Sequence, residues 1–360
     1  MADPDAPRPA APRPTGLRIA LVGQGVHPIP APGYAPVERH IESLEAALRR
    51  RGEDVHLVNR VFPRFRLRLL VHALWVHRQL RRLKPDVIHC HSPINAWVLR
   101  RLGDRPIVFT THSRQWAYNE TPNVPAPKEL RNHKRGYRAA DARIVLSPAV
   151  REAAARSPGL RGLACDVVPN GVDAQRHSPG TAPRLPRRIV GLGIVASVKR
   201  WHLVAKAAAS AGWELEVLGP LAEPDYVAAL RQANPEVILR GEVSDAEVVE
   251  ALRRATVLAH PSQAEAMPLA VLEGMATGLP VIGSQMLRSL LEPGREGFLV
   301  PEGSEGEQVE AYARLLRQTP PAEWARMGAA ARQRVLASHT WDAVAEATCG
   351  VYWGVAQPKR

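Results

Sequence analysis

The sequence predicts an α/β protein built from two doubly wound domains. Three observations lead there. Short apolar runs alternate with amphipathic helical stretches along the whole chain. The alternation starts afresh after a Pro-rich stretch over residues 176–188, so the second half repeats the organisation of the first. And 360 residues are enough for two domains of ordinary size.

Taken in order, residues 1–16 are mostly Pro, Ala, Asp and Arg with little to bury, and read as a disordered tail. Residues 17–22 are the first strand. Gly23-Gln24-Gly25 turns out of it, and a loop runs through Gly33-Tyr34. Val37, Ile41, Leu44 and Leu48 then mark one face of a helix over 37–50. Residues 55–58 are the second strand. Residues 61–84 interleave apolar and basic side chains at near-helical spacing. A parallel sheet needs a crossover helix there. The same pattern suits a helix lying in an anionic membrane surface, with Phe62, Phe65 and Trp75 as wedges, and both readings can hold on different faces. Residues 86–91 form a strand that sends His89 and His91 to one side and Cys90 to the other. No third ligand follows at suitable spacing, so no metal is expected there. Residues 107–111 form the next strand, which ends at His112, where side chains overlook a cleft. Residues 114–135 form a polar, basic and aromatic insert containing Arg114, Trp116 and Tyr118. After the strand at 142–146, Ser147-Pro148 starts a helix, and Val167–Asp173 closes a first domain over 17–173.

The second domain spans 174–340. Residues 189–194 are its first strand. Lys199 lies in the loop behind it, and Arg200-Trp201-His202 open a helix. Strands follow at 215–218 and 237–239, the latter leading to Arg240-Gly241. Ser244-Asp245 caps a helix running to Arg254. The chain is organised around residues 255–283, which read as strand, loop, helix, strand. Pro268 suits the first helical turn, Gly278 the position just past the end, and Pro280 stops continuation. The free N–H groups at such a helix start attract a phosphate. Glu265 precedes the helix and Glu273 lies within it. Were both helical they would point about 80° apart, which suits separate duties at one pocket. Residues 305–338 are helical, and Trp341 begins the last helix.

The charge is uneven. The formal net charge is +13, with 29 Lys+Arg against 15 Asp+Glu in residues 1–180 and 19 against 20 in the rest. Such an excess points to an anionic partner for the first half: lipid, an anionic acceptor or nucleic acid. The basic and aromatic residues form no recognised nucleic-acid module, so nucleic acid is not expected. No stretch is long and apolar enough to span a membrane, and no secretory signal is evident. Three widely spaced cysteines suit a reducing cytoplasm rather than a disulfide frame.

Pro261-Ser262-x-x-Glu265, followed by Pro-Leu-x-x-Leu-Glu273-x-Met-Ala-x-Gly-x-Pro-Val and later Gly297-Phe-Leu-Val-Pro301, resembles the signature of the large retaining glycosyltransferase family with the GT-B fold. Its hallmark is two Glu with seven residues between them. Val167–Asp173 matches that family's inter-domain linker almost letter for letter. The resemblance implies two Rossmann-like domains facing a cleft, with residues 341–360 crossing back to the first. It implies a nucleotide-sugar donor, as substrate rather than cofactor, and a hydroxyl acceptor that is a glycan, lipid-linked or small molecule. It implies that Glu265 and His112 attend the reacting sugar. Gly25, Gly33, Lys199, Arg200, Arg240, Ala266, Met267, Leu269 and Glu273 are then the donor-binding positions, and Arg114, Trp116 and Tyr118 the acceptor side. Three positions depart from the family pattern. Ala35-Pro36 replace two flexible residues, Ile194 stands where an Arg is usual, and Gln285–Ser289 lacks a Gly pair. No Asp-x-Asp on a loop offers a metal site, so metal independence is expected. A nucleotide-sugar epimerase or hydrolase, and a non-catalytic nucleotide-sugar or nucleic-acid binder, are the alternatives. The expected location is the cytoplasm, with peripheral contact to the inner face of the membrane.

Overall fold

The computed structural model describes residues 16–30, 35–63, 67–112, 127–263 and 265–356. Residues 1–15 of the proposed tail, Phe65, Gly33 and the insert residues Arg114, Trp116 and Tyr118 lie outside the described residues.

The first half alternates β1 (Arg18–Val22), α1 (Pro36–Arg50), β2 (Asp54–Val58), α2 (Arg68–Leu83), β3 (Val87–Cys90), α3 (Pro93–Arg101), β4 (Ile107–Thr111), α4 (Pro127–Ala139), β5 (Ala142–Val145), α5 (Pro148–Arg156) and β6 (Asp166–Val167). Its strands form one parallel sheet in the order β2-β1-β3-β4-β5-β6. The second half runs β7 (Arg188–Leu192), α6 (Trp201–Ala211), β8 (Glu214–Leu218), α7 (Pro224–Ala233), β9 (Ile238–Gly241), α8 (Asp245–Arg254), β10 (Val257–His260), α9 (Leu269–Ala276), β11 (Val281–Ser284) and β12 (Gly297–Val300), then α10 (Glu305–Gln318), α11 (Pro321–Ser338) and α12 (Trp341–Ala356). Its parallel sheet has the order β12-β11-β10-β7-β8-β9. Each order reverses once, between β1 and β3 and between β7 and β10. Open parallel sheets bind ligands at such reversals.

Strand alternation builds a core on both faces of each sheet. On β1, Ala20 and Val22 pack under α2, α3 and α4, while Ile19 and Leu21 pack under α1 and α12. On β10, Val257 and Ala259 face α6 and α10, while Leu258 faces α9 and α11. The last helix thus belongs to the first sheet: Trp341, Val344 and Tyr352 share a core with Ile41 and Leu44 of α1. The chain therefore crosses between the lobes twice. The two crossings meet where Val172 N–H donates to the His339 carbonyl at 2.8 Å.

Several elements differ from the sequence reading. Helices α3 and α7 were not foreseen. The end of the insert runs into a regular helix over residues 127–139, which buries Tyr137. The helical stretch 305–338 is two helices, because the pyrrolidine rings of Pro320 and Pro321 cannot sit in a helix interior. Pro268 is the N-cap of α9 rather than its first residue. On α2, His72, Ala73, Val76 and Leu80 are buried, as a crossover helix requires, while Leu67, Leu70 and Leu74 face outward. Phe62 and Trp75 lie edge to face at 6.5 Å with Arg60 over both rings, so they pack on each other.

Candidate active site

A cleft of about 710 Å³ lies between the carboxyl edges of the two sheets. Its walls come from residues that directly follow strands: His112 after β4, Leu146 after β5, Gly193 after β7, Gly219 after β8, and His260 at the end of β10. The turn after β8 requires glycine. A Cβ on Gly219, whose φ is +147°, would lie 2.2 Å from the Gly193 carbonyl oxygen.

The second lobe supplies a charged wall. Lys199 ends a short 3₁₀ turn after β7, and its ammonium donates to Glu265 Oε1. His260 Nε2 lies 3.2 Å from the same oxygen, off the line of a good hydrogen bond. Burial pushes the Glu265 carboxyl up. The His260 contact and the Lys199 charge outweigh it, and the group settles at about 2. Burial pushes His260 below its ordinary value, so the imidazole is neutral at pH 7. Beside the pair, α9 opens into the cleft with Met267, Pro268, Leu269 and Ala270. Its first intrahelical bonds run from Val271 and Leu272 to the Pro268 carbonyl, which leaves the Leu269 and Ala270 amides at the open end. Glu273 lies one turn in, on the cleft side.

The first lobe supplies a neutral wall. His91 Nδ1 and His112 Nε2 share a hydrogen bond of 2.9 Å. His40, from α1, stands edge-on to His112 at 4.7 Å and to Trp341 at 5.2 Å. His40 Nδ1 donates to Asn170 Oδ1 at 3.0 Å, and the Asn170 amide donates to the Met267 carbonyl at 2.8 Å. This chain joins α1, the linker and the start of α9. Behind it, His89 is satisfied at both nitrogens by Tyr352 and Thr110, each at 2.7 Å. Burial lowers His40 to about 4 and His89 to about 3, and drives His91 and His112 well down, so these four imidazoles carry no charge at pH 7.

Of the sequence-derived positions, His112, Lys199, Glu265, Ala266, Met267, Leu269 and Glu273 line the one cleft. Three others do not. Gly25 packs on the His72 ring, where a Cβ would lie 2.6 Å from ring carbons, and its N–H donates to Asn59. Arg200 takes φ +56° at the start of α6, on the side of Glu305 and Tyr226, because the left-handed residue turns the chain away from Lys199. Arg240 leaves the outer edge of the sheet towards Glu216, 3.6 Å away.

Sequence reasoning missed His40 and Asn170. His40 was visible as a polar residue on the apolar stripe of α1, one position from Ile41. One histidine grouping also escaped the spacing argument. Spacing offered no third ligand, yet His40, His91 and His112 place ligand atoms within 4.8 Å of one another, and they come from three separate elements. They are the one such set among the described residues.

Comparison with known proteins identifies the family and the fold. The family description "Glycosyltransferase Family 4" matches residues 26–176, and "Glycosyl transferases group 1" matches residues 189–318. A GDP-mannose-dependent alpha-mannosyltransferase of Mycobacterium tuberculosis is 30% identical over 90% of this chain and 87% of its own length. The protein of that name from Mycolicibacterium smegmatis is 31% identical over 84% of this chain and 83% of its own. In fold, the chain is similar to sucrose-phosphate synthase from Thermosynechococcus elongatus, with TM-score 0.79, 22% identity and 95% and 99% of the two chains covered. It is also similar to Anabaena HepE in complex with UDP-glucose, with TM-score 0.75, 18% identity and 94% and 100% covered. The chain belongs to family 4 of the glycosyltransferases and has the GT-B fold.

Proposed function

We propose that this glycosyltransferase moves a hexose from a nucleotide-sugar to a hydroxyl acceptor with retention of configuration, and that it needs no metal to do so. One observation carries the reading. Glu265, Lys199 and the open start of α9 face His112 across a single cleft.

The donor diphosphate sits against the Leu269 and Ala270 amides, and Lys199 turns from Glu265 to meet it. This releases Glu265 to accept from a sugar hydroxyl and to offset positive charge at the anomeric carbon. Glu273 holds the ribose hydroxyls. The bond from that carbon to the phosphate oxygen breaks while the acceptor oxygen bonds on the same face. The acceptor's proton passes to the departing phosphate. The cations and amides stabilise the charge that grows there. His112 closes the sugar site from the neutral wall.

Two relatives named as GDP-mannose-dependent make GDP-mannose the first donor to try, ahead of UDP-glucose. The acceptor is a glycan, a lipid-linked molecule or a small molecule. The outward Leu67 at the N-cap of α2 and Leu70 and Leu74 on the helix, with the exposed Arg78, support peripheral seating on an anionic membrane face. No helix of the described residues is long and apolar enough to cross a membrane.

The test is Glu265→Ala. Transfer should fall by about 10³-fold, the scale of a lost transition-state contact, while nucleotide affinity survives. Anomeric analysis of the product should show the donor's configuration, and chelation should leave the rate unchanged. Full activity in the variant would overturn the mechanism.

A further inference from the structure

The first lobe's histidines make an arrangement that sugar transfer does not call for. His40 of α1, His91 after β3 and His112 after β4 bring three ring nitrogens within 4.8 Å of one another. Their ring centroids stand 4.7, 5.2 and 5.5 Å apart. A tetrahedral zinc, bonded at about 2.0–2.1 Å, sets its nitrogen ligands about 3.4 Å apart. The nitrogens here run from 2.9 Å, between His91 Nδ1 and His112 Nε2, up to that 4.8 Å limit. Side-chain shifts of about 1 Å therefore gather them around one ion.

The surroundings prepare the rings. The Asn170 amide nitrogen is committed to the Met267 carbonyl, so its Oδ1 accepts and His40 Nδ1 carries the hydrogen. The lone pair of His40 then lies on Nε2, and the ring is steadied by an outer hydrogen bond, as metal-bound imidazoles are. His91 Nε2 is buried and meets no hydrogen-bond partner, a cost that engagement of the ring by a ligand can offset. His89, alongside, has both nitrogens used by Tyr352 and Thr110 and stays out of the set. His40 and His112 line the cleft, so an ion reaches the set from solvent and keeps a free coordination position on the cleft side. An all-imidazole set suits zinc, copper or nickel, whereas magnesium and calcium take oxygen ligands.

We propose that His40, His91 and His112 form a zinc site, and that zinc bound there blocks transfer. The second clause rests on the transferase reading. The ion draws His112 away from the sugar and sets a double positive charge across from Glu265, where transfer builds up positive charge at the anomeric carbon. The ion is an inhibitor, so transfer itself still needs no metal.

The experiment uses the full chain, untagged and stripped of metal with a chelator. Zinc chloride is titrated by calorimetry, and cobalt(II) chloride by visible absorption. Wild type should take up one tight equivalent of zinc and give the intense cobalt bands of a four- or five-coordinate nitrogen site. Magnesium chloride should not compete. His40→Gln and His91→Gln should each weaken zinc by more than the roughly 10 to 100-fold that loss of an outer hydrogen-bond partner brings, and Asn170→Ala should fall within that range. Melting temperatures without metal separate misfolding from ligand loss, and the wild-type cobalt bands read the site without any variant. No tight equivalent in wild type, the weak bands of six-coordinate cobalt, or undiminished zinc affinity in both folded histidine variants overturns the site. In the assay used for Glu265→Ala, one equivalent of zinc should silence wild type and EDTA should restore it. An undiminished rate with the site loaded overturns the second clause. The titrations need no turnover, so a chain that binds zinc but transfers no sugar would fault the transferase reading and leave the site standing.

Discussion

The two walls of the cleft solve opposite electrostatic problems. The second lobe holds a buried ion pair, Lys199 with Glu265, beside a helix start. The first lobe holds His40, His89, His91 and His112, four imidazoles that burial keeps neutral. The charged wall can meet an anion and a developing cation. The neutral wall can shape a sugar site without competing for either. The difference teaches that the buried ion pair of the cleft belongs to the second lobe, although the net positive charge of the chain resides in the other half.

The contrast can be broken most severely at Lys199. Lys199→Ala should weaken nucleotide-sugar affinity and lower turnover, together on the order of 10² to 10³-fold in kcat/KM, the scale of a lost charge stabiliser. It should also move Glu265 upward, since burial would then act with less opposition. Steady-state rates against pH check both. An acid limb left in place would show that the two side chains do not act together.

Next in size is the link between the walls. Asn170 joins His40 to the Met267 carbonyl in a buried setting. Asn170→Ala should cost about 2 kcal/mol, the range for stranding buried polar partners. Urea unfolding measures this, and turnover should fall because the start of α9 loses its tie to the first lobe.

Acid titration sharpens the comparison further. A buried histidine with a depressed value resists protonation when folded, while the unfolded chain takes up the proton readily. Each such group therefore supports folding at pH 7, and its contribution drains away as pH drops from about 6.5 towards about 4 for His40. The drain approaches about 1.4 kcal/mol per pH unit per histidine. Glu265 behaves differently. Its depressed carboxyl contributes fully above the ordinary carboxylate value and loses that contribution only as pH falls towards about 2. Melting temperature should thus decline from pH 6.5 downward, and His40→Gln should flatten the decline. A flat profile to pH 4.5 would remove the neutral-wall account.

The smallest expected effect lies at the rim. Arg39 of α1 meets Asp245 of α8 at 2.7 Å across the cleft, with both side chains about two-fifths exposed. Asp245→Ala should change stability by less than about 1 kcal/mol, and added salt should shrink the difference.

Much of this was legible from local pattern. The run Thr256–Gly283 announced strand, helix and stop, and the family resemblance it carries pointed to Glu265, Met267, Leu269 and Glu273, which the structure brings to the cleft. What stayed hidden depended on distance or direction. His40, Asn170 and His112 lie far apart in sequence and meet only through topology. Arg200 neighbours Lys199 along the chain, yet a left-handed residue turns it to the other side. Helix α4 was obscured because Arg, Lys and Asn outnumber its apolar residues, leaving little periodic signal.

The return of Trp341–Ala356 to the first lobe has a mechanical consequence. With two chain passages side by side at Val172 and His339, the second lobe is hung like a door on a narrow hinge pin. A single tether would let it swivel; a paired one favours one swing. The facing of Glu265 and His112 across the cleft is then constrained by how the polypeptide is threaded.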